Sequence, residues 1–267
     1  YAQDHDIPDT YIGQAAGYRP DGWVDGVPRR RGPVPEARWY ARTPKEVRRS
    51  RAGYYGLIDH LDTQIARVAY HIWRYLNLDN IIYAFVSDHG EMLGDHHRYA
   101  KSVGYQGSIN IPLILGLPKQ MGIREGVRYD DVACLEDVMP TLLDACGIPI
   151  PAGVDGASLM PLMRGDVPRL RRDWVHVEHT GYTQCLTDGR EKFLWTLDAN
   201  TFEYYDLVAD PGECTNLFRE RYGRAMELHD RLAQRLAEQG RGARWLRDGR
   251  LSFDAVRESG AWTDWAP

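Results

Sequence analysis

Residues 81 to 101, IIYAFVSDHGEMLGDHHRYAK, constrain this chain more than any other stretch. An apolar, largely β-branched and aromatic run over residues 81 to 86 stops at Ser87-Asp88-His89-Gly90. A polar loop carrying Glu91, Asp95, His96 and His97 then runs on to Lys101. A short apolar run bounded by polar and glycine-rich sequence reads as a buried strand of a largely parallel or mixed sheet. In such sheets ligands bind beyond the carboxyl ends of the strands. The segment thus brings a carboxylate, an imidazole and, after a loop, an ammonium group to the usual place for chemistry. That is the outline of a metal-and-oxyanion site.

The flanking sequence builds α/β structure around this strand. Over residues 46 to 76, Leu57, Ile58, Leu61, Ile65, Val68, Ala69, Ile72 and Leu76 recur at three- and four-residue spacings. A helix with one buried face is predicted, with Asp59 and Asp62 on its solvent side. Leu78-Asp79-Asn80 then turns the chain into the strand. Residues 109 to 117 (INIPLILGL) predict a second strand, with Pro112 at an edge or bulge. Residues 130 to 146 read as an amphipathic helix kinked or broken at Pro140 and closed by Gly147. Asp155-Gly156 with Ser158-Leu159 suggests a turn into a short helix ending before Gly165. Past residue 170 the texture changes. Residues 174 to 178 alternate, Thr187-Asp188-Gly189-Arg190 is a hairpin turn between two strands, and residues 203 to 207 add another. Leu228, Leu232 and Leu236 mark a helix. The predicted fold is α/β. Part of a largely parallel or mixed sheet is sandwiched by helices over 1–168, and a small antiparallel sheet with a helix and a tail follows over 169–267. Residues 1 to 44, with Pro8, Pro20, Pro28, Pro33, Pro35 and the cluster Arg29-Arg30-Arg31, read as a surface excursion. Trp245, Trp262 and Trp265 are expected to anchor the tail.

Composition narrows the functional classes. With 267 residues, a formal net charge of -5 and a pI near 6.0, the chain lacks the basic footprint of a nucleic-acid binder. No apolar stretch approaches the roughly 20 residues that cross a bilayer, so no membrane partner is expected. Cys134, Cys146, Cys185 and Cys214 are scattered without a CxxC pair, which argues against a zinc ribbon. Buried free thiols are expected, leaning toward a reducing, cytoplasmic compartment. Lysine is scarce: Lys45, Lys101, Lys119 and Lys192 are the only ones among 33 basic residues. Where arginine is the default cation, a lysine after the polar loop suits a compact point charge for an oxyanion.

Asp88, at the strand's C-terminal end, is a good ligand for a hard cation. His89 can ligate a metal or hydrogen-bond an anion, and Gly90 lets the backbone turn at once. Asp95, His96 and His97 read as loop-structuring or rim residues, and a zinc centre on His89, His96 and His97 matches no compact spacing.

The order SDHGEMLGDHxxxxK, followed by Tyr105 and INIPLIL, resembles the sulfatase family of the alkaline phosphatase superfamily. Asp137-Val138-Met139-Pro140-Thr141-Leu142-Leu143-Asp144, Asp155-Gly156-x-Ser158-Leu159 and Tyr205-Asp206-Leu207-x-x-Asp210-Pro211-x-Glu213-x-x-Asn216-Leu217 are similar to further motifs of that family, in the same order. The resemblance implies that Asp88 and His89 complete a divalent-metal site, with Ca²⁺ first and Mg²⁺ or Mn²⁺ next, and that Lys101 contacts the sulfate of a small sulfate ester. His89 stands where many members have Asn, and Gln106 where a Glu is common. The family's formylglycine arises within C/S-x-P-x-R, and no cysteine or serine here sits in that motif. The paired aspartates of the family's first strand are missing too. The chain therefore looks like the C-terminal half of a sulfuric ester hydrolase, a partner to a missing N-terminal half that holds the nucleophile. As an isolated piece it is expected to be inactive. The leaving-group acid is expected upstream, with His96 as a lesser candidate. A phosphonate monoester or phosphodiester hydrolase of the same superfamily, or a non-catalytic module on the same fold, are the competing readings.

Overall fold

The computed structural model describes residues 23–24, 27–28, 44–76, 80–179, 183–196 and 201–258. The described residues divide into two compact units: those within 51–88 and 111–175 make the first, and those within 23–50, 89–110 and 176–258 the second. Within the second, β1 (Trp23–Val24) and β2 (Val27–Pro28) form a small antiparallel ribbon. The Arg29-Arg30-Arg31 cluster, the turn residues Leu78 and Asp79, and the tail tryptophans Trp262 and Trp265 lie outside the described residues.

The predicted long helix is α1 (Pro44–Tyr75). Proline at its first position costs nothing, because that N–H has no helical partner. Its predicted buried face is not buried: Leu57 is 68% exposed, Leu61 51% and Val68 58%. The periodicity identified an apolar stripe correctly, but no described residue covers it. After α1 come β3 (Tyr83–Val86) and β4 (Leu113–Gly116), which pair antiparallel with Tyr83 opposite Gly116 and Val86 opposite Leu113. Among the described residues this sheet is a two-stranded antiparallel pair, with no parallel pairing. The second strand is shorter than its apolar run, because residues 106 to 109 wind into the short helix α2 (Gln106–Ile109) and Pro112 then precedes the strand. Along β4 the faces alternate. Leu113 and Leu115 pack with Leu117 against Leu159, Met160 and Met163, whereas Ile114 points out at 56% exposure.

The predicted helix over 130–146 begins later. A 3₁₀ turn (Leu135–Asp137) leads into α3 (Val138–Ala145), so Pro140 falls in the first turn, where it breaks no hydrogen bond and causes no kink. Beyond Cys146, Gly147 takes the left-handed conformation (φ 68°) and its amide donates to the Asp144 carbonyl at 3.0 Å. Buried Asp137 ties this region together. It accepts from the amides of Cys134 (2.9 Å) and Ala157 (2.8 Å) and from both terminal nitrogens of Arg172. Thr141 Oγ1 donates to the Asp137 carbonyl (2.6 Å) and accepts from the Leu159 amide (2.9 Å). Ser158 donates to Asp144 at 2.6 Å just before α4 (Met160–Arg164), which ends at Gly165 as expected. The motifs containing Asp137 and Asp155 are thus the two ends of one structural clasp.

The second unit carries the predicted antiparallel sheet. β5 (Val175–His179), β6 (Thr183–Thr187), β7 (Glu191–Thr196) and β8 (Thr201–Asp206) lie side by side in that order. The hairpin turn is built by side chains: Asp188 Oδ1 accepts from the amides of Arg190 and Glu191, both at 2.8 Å. α5 (Tyr222–Glu238) buries Leu228, Leu232 and Leu236, the three leucines that marked it, and packs on β6 and β7. Residues 242 to 258 are not a loose tail. They fold into α6 (Gly242–Trp245), a hairpin of β9 (Leu246–Arg247) and β10 (Arg250–Leu251), and α7 (Phe253–Glu258). Trp245 is the expected anchor, fully buried and edge-on to Trp195 with ring centroids 6.2 Å apart.

Candidate functional site

The sequence SDHGEMLGDHHRYAK folds as a strand end followed by a tight loop. Asp88 follows β3 and is exposed, and it is the last residue of the first unit; His89 opens the next stretch of the second. His89 Nδ1 lies 2.8 Å from the Gly90 carbonyl. A carbonyl only accepts, so Nδ1 carries the proton, and in the neutral ring Nε2 is the acceptor. Gly90 cannot be replaced without moving backbone. Its amide donates to the Ser108 carbonyl at 2.7 Å, and a Cβ there would stand 2.2 Å from the Gly107 oxygen.

From Glu91 onward the loop is closed on itself. The Glu91 carboxylate accepts the Ala100 amide, the Met92 amide donates to the Ala100 carbonyl (2.8 Å), and Gly94 donates to the Arg98 carbonyl (2.7 Å). Met92 plugs the loop into the core among Val103, Tyr105, Cys185, Leu194, Tyr205 and Leu207. The backbone inside is strained. Leu93, His96, His97, Ala100 and Ser102 all have positive φ, five of the seven such non-glycine residues among those described. Each costs about 1 kcal/mol or more, and strain of this kind collects at functional sites. Lys101 sits between two of them, exposed to solvent.

His96 is placed differently from Lys101. It is buried and stacked on Tyr105, with ring centroids 4.0 Å apart and planes within 8°. Burial, reinforced by the Arg98 charge, pushes its pKa down to about 3. A ring in that state carries no proton to hand to a leaving group near neutral pH; it packs against Tyr105.

The cysteines are free, though not uniformly buried: only Cys185 is fully so, and Cys146 is exposed. Burial pushes the thiols of Cys134 and Cys185 up to about 12 and that of Cys214 to about 11, so none of the three is a thiolate at neutral pH. Among the described residues no three His, Cys, Asp or Glu side chains converge as a metal would require. Ca²⁺ takes six to eight oxygen ligands. Asp88 and His89 supply two donors, one of them nitrogen, so the described residues do not by themselves fit a complete metal site.

Sequence reasoning passed over the group beneath the loop. Lys192, wholly buried on β7, donates to the Gly104 carbonyl (2.8 Å), Gln106 Oε1 (2.9 Å) and Glu213 Oε1 (2.5 Å). Glu213 Oε2 accepts the Gln106 amide at 2.6 Å. Tyr105 donates to Glu203 (2.9 Å), which also accepts from Tyr205 (2.7 Å). The signals were the scarcity of lysine and the Glu213 position of the third motif. The rest of that motif is turn chemistry: Asp206 Oδ1 caps the amides of Val208 and Ala209, and Asn216 Oδ1 those of Tyr204 and Phe218.

The same segments match known proteins. A family model described as "Sulfatase" matches residues 4–148, and one described as "N-sulphoglucosamine sulphohydrolase, C-terminal" matches residues 94–241. An arylsulfatase of Clostridium perfringens is 39% identical over 65% of this chain and 37% of that protein. A choline-sulfatase of Rhizobium meliloti is 32% identical over 82% of this chain and 42% of that protein. Among solved structures, a phosphonate monoester hydrolase of Agrobacterium radiobacter superposes with a TM-score of 0.65 at 26% identity, over 73% of this chain and 43% of that one. The chain thus spans well under half the length of these relatives. Matched over more than half its own length by each family model, it belongs to the sulfatase family.

Proposed function

We propose that this chain is the C-terminal part of a metal-dependent sulfuric ester hydrolase, with Lys101 as its contact to the sulfate. The observation that supports this best is the presentation of Lys101: a scarce lysine, exposed, held between two left-handed residues of a loop closed by its own hydrogen bonds. An ammonium carried on such a loop can stabilise negative charge that builds on a sulfuryl oxygen. His89, with Nδ1 donating to Gly90, presents Nε2 as an acceptor suited to a cation. A divalent cation, Ca²⁺ before Mg²⁺ or Mn²⁺, would need its remaining ligands from sequence beyond the described residues. The nucleophile also has to come from elsewhere, since no C/S-x-P-x-R occurs in the chain. The partner required is therefore an N-terminal half of the domain, and the isolated chain is inactive.

The test is steady-state hydrolysis of 4-nitrophenyl sulfate by the full-length protein. Lys101→Ala is expected to lower kcat/KM by about a hundredfold or more, in the range seen when a group stabilising an oxyanion is removed. Unchanged kcat/KM would overturn the assignment. The likeness to a phosphonate monoester hydrolase supports a second reading, that the ester is a phosphonate. The two separate by kcat/KM: a larger value for an aryl phosphonate monoester than for the aryl sulfate favours the second. Calorimetric titration with Ca²⁺, Mg²⁺ and Mn²⁺ completes the set, because absence of binding by the full-length protein would leave only a non-catalytic module.

A further inference from the structure

We propose that the buried Lys192–Glu213 pair is a positioning device, a clamp on the backbone of residues 104 to 106 that holds the strained loop presenting Lys101. The proposal rests on the reading of Lys101 given above.

All three protons of the Lys192 ammonium are used, and two of them go to the segment that closes the loop, on the Gly104 carbonyl and the Gln106 side chain. Glu213 takes the third and grips the Gln106 amide with its other oxygen. The clamp therefore engages the chain three residues after Lys101 and two after Ser102, whose φ is 81°. Glu213 itself has a positive φ of 56°, so the gripping residue shares the unfavourable backbone of the loop it holds. Between the two grips, Tyr105 stacks on His96 of the loop and donates to Glu203 of the sheet. A Cβ on Gly104 would stand 2.5 Å from a Leu194 methyl, so the segment lies directly against β7.

Core stability alone does not call for such a pair. A buried ion pair is costly to desolvate, and well-packed apolar residues often serve as well or better. Phe193, Leu194 and Trp195 on the same strand are fully buried apolar residues. What an apolar side chain cannot do is hold the Gly104 carbonyl and the Gln106 amide in place against the strain of the loop.

The test uses Lys192→Met, Glu213→Gln and the double variant in the full-length protein. The double variant leaves no unpaired charge in the core. Hydrogen exchange is read at the loop amides of Met92, Gly94 and Ala100, with Cys185 and Leu194 in the sheet as reference. The expected result is loop exchange at least tenfold faster with the sheet unchanged, and kcat/KM for 4-nitrophenyl sulfate at least tenfold lower. In a Lys101→Ala background the same change should cost almost nothing further, which a purely structural role would not produce. Unchanged loop protection, unchanged kcat/KM or fully multiplicative losses would each overturn the proposal. Should the double variant lose sheet protection as well, Glu213→Gln alone, which keeps the Lys192 contacts to Gly104 and Gln106, is read in its place. If the wild-type protein turns over no sulfate ester, the function reading fails. The exchange experiment then decides the clamp by itself, with faster loop exchange supporting it and an unchanged loop overturning it.

Discussion

β7 and β3 are both short strands carrying apolar and aromatic residues, and they meet opposite fates. On β7 every residue from Lys192 to Thr196 is buried, between neighbouring strands and under α5. On β3 Tyr83 is 61% exposed and Phe85 39%, with β4 as the only strand paired to it among the described residues. The contrast extends to the helices. α5 buries its leucines, whereas α1 leaves Leu57, Leu61, Val68 and Trp73 in solvent. Soluble proteins seldom leave contiguous apolar surface of this kind uncovered. The second unit seals its own core. The first has the faces of a layered α/β structure, and among the described residues no layer covers them; the chain matches about two fifths of its relatives' length.

The largest consequence concerns the chain on its own. Purified 1–267 should bind an apolar dye such as anilinonaphthalene sulfonate and self-associate at micromolar concentration, and it should hydrolyse no aryl sulfate. A monodisperse monomer without dye enhancement would break the contrast between the units, and measurable turnover would break the reading of the site.

Truncations should then separate the two units. Trp195→Ala, at a fully buried position, is expected to cost about 3–5 kcal/mol, from lost burial and the cavity left behind. Leu61→Ala, at 51% exposure, should stay within about 0.5 kcal/mol in the isolated chain. Urea unfolding read by far-UV circular dichroism compares them, and equal losses would mean that α1 is covered after all.

Protonation gives the second unit a signature of its own. An unfolded His96 takes up a proton near 6.5, while the buried ring, beside Arg98 and with Lys192 and His97 nearby, resists protonation down to about 3. Its effect on stability is therefore nil above pH 6.5 and grows as pH falls toward 3. Between pH 7 and 4.5 this amounts to about 2–3 kcal/mol lost. His96→Phe, which keeps a ring against Tyr105, should flatten that slope. A slope unchanged by the substitution would mean that other groups carry it.

How far the sequence reaches follows the same division. Elements that satisfy themselves locally were legible: the α1 periodicity, the Asp188-Gly189 turn, the leucine stripe of α5 and the Gly147 stop. The strand leading to Asp88 was legible as well, as β3 with a polar loop after it. What escaped depends on contacts distant in the chain. The burial of His96 comes from Tyr105 and from residues a hundred positions on, and Lys192 meets Gly104 across 88 residues. The α1 error has a similar cause. Periodicity reports which face seeks cover, and the cover itself is not among the described residues.

The smallest effect tests how the first unit holds together where its apolar faces do not help. Its Asp137 clasp is polar. Burial pushes the Asp137 carboxyl up, but Arg172 and the amides of Ala157 and Cys134 outweigh it and hold the group below its ordinary 3.8. Thr141 extends the clasp, and Thr141→Val keeps the shape while removing the oxygen that accepts the buried Leu159 amide. An amide left without its acceptor costs about 1–2 kcal/mol. Thr63 on α1 also donates to a backbone carbonyl, that of Asp59 at 3.1 Å, but in solvent, where water replaces the bond at once. Thr63→Val should therefore change urea stability by no more than a few tenths of a kcal/mol. Faster hydrogen exchange at Leu159 in the Thr141 variant alone would place the stability of this unit in its buried polar contacts. Equal effects at Thr141 and Thr63 would mean that the clasp is as open to water as the surface of α1.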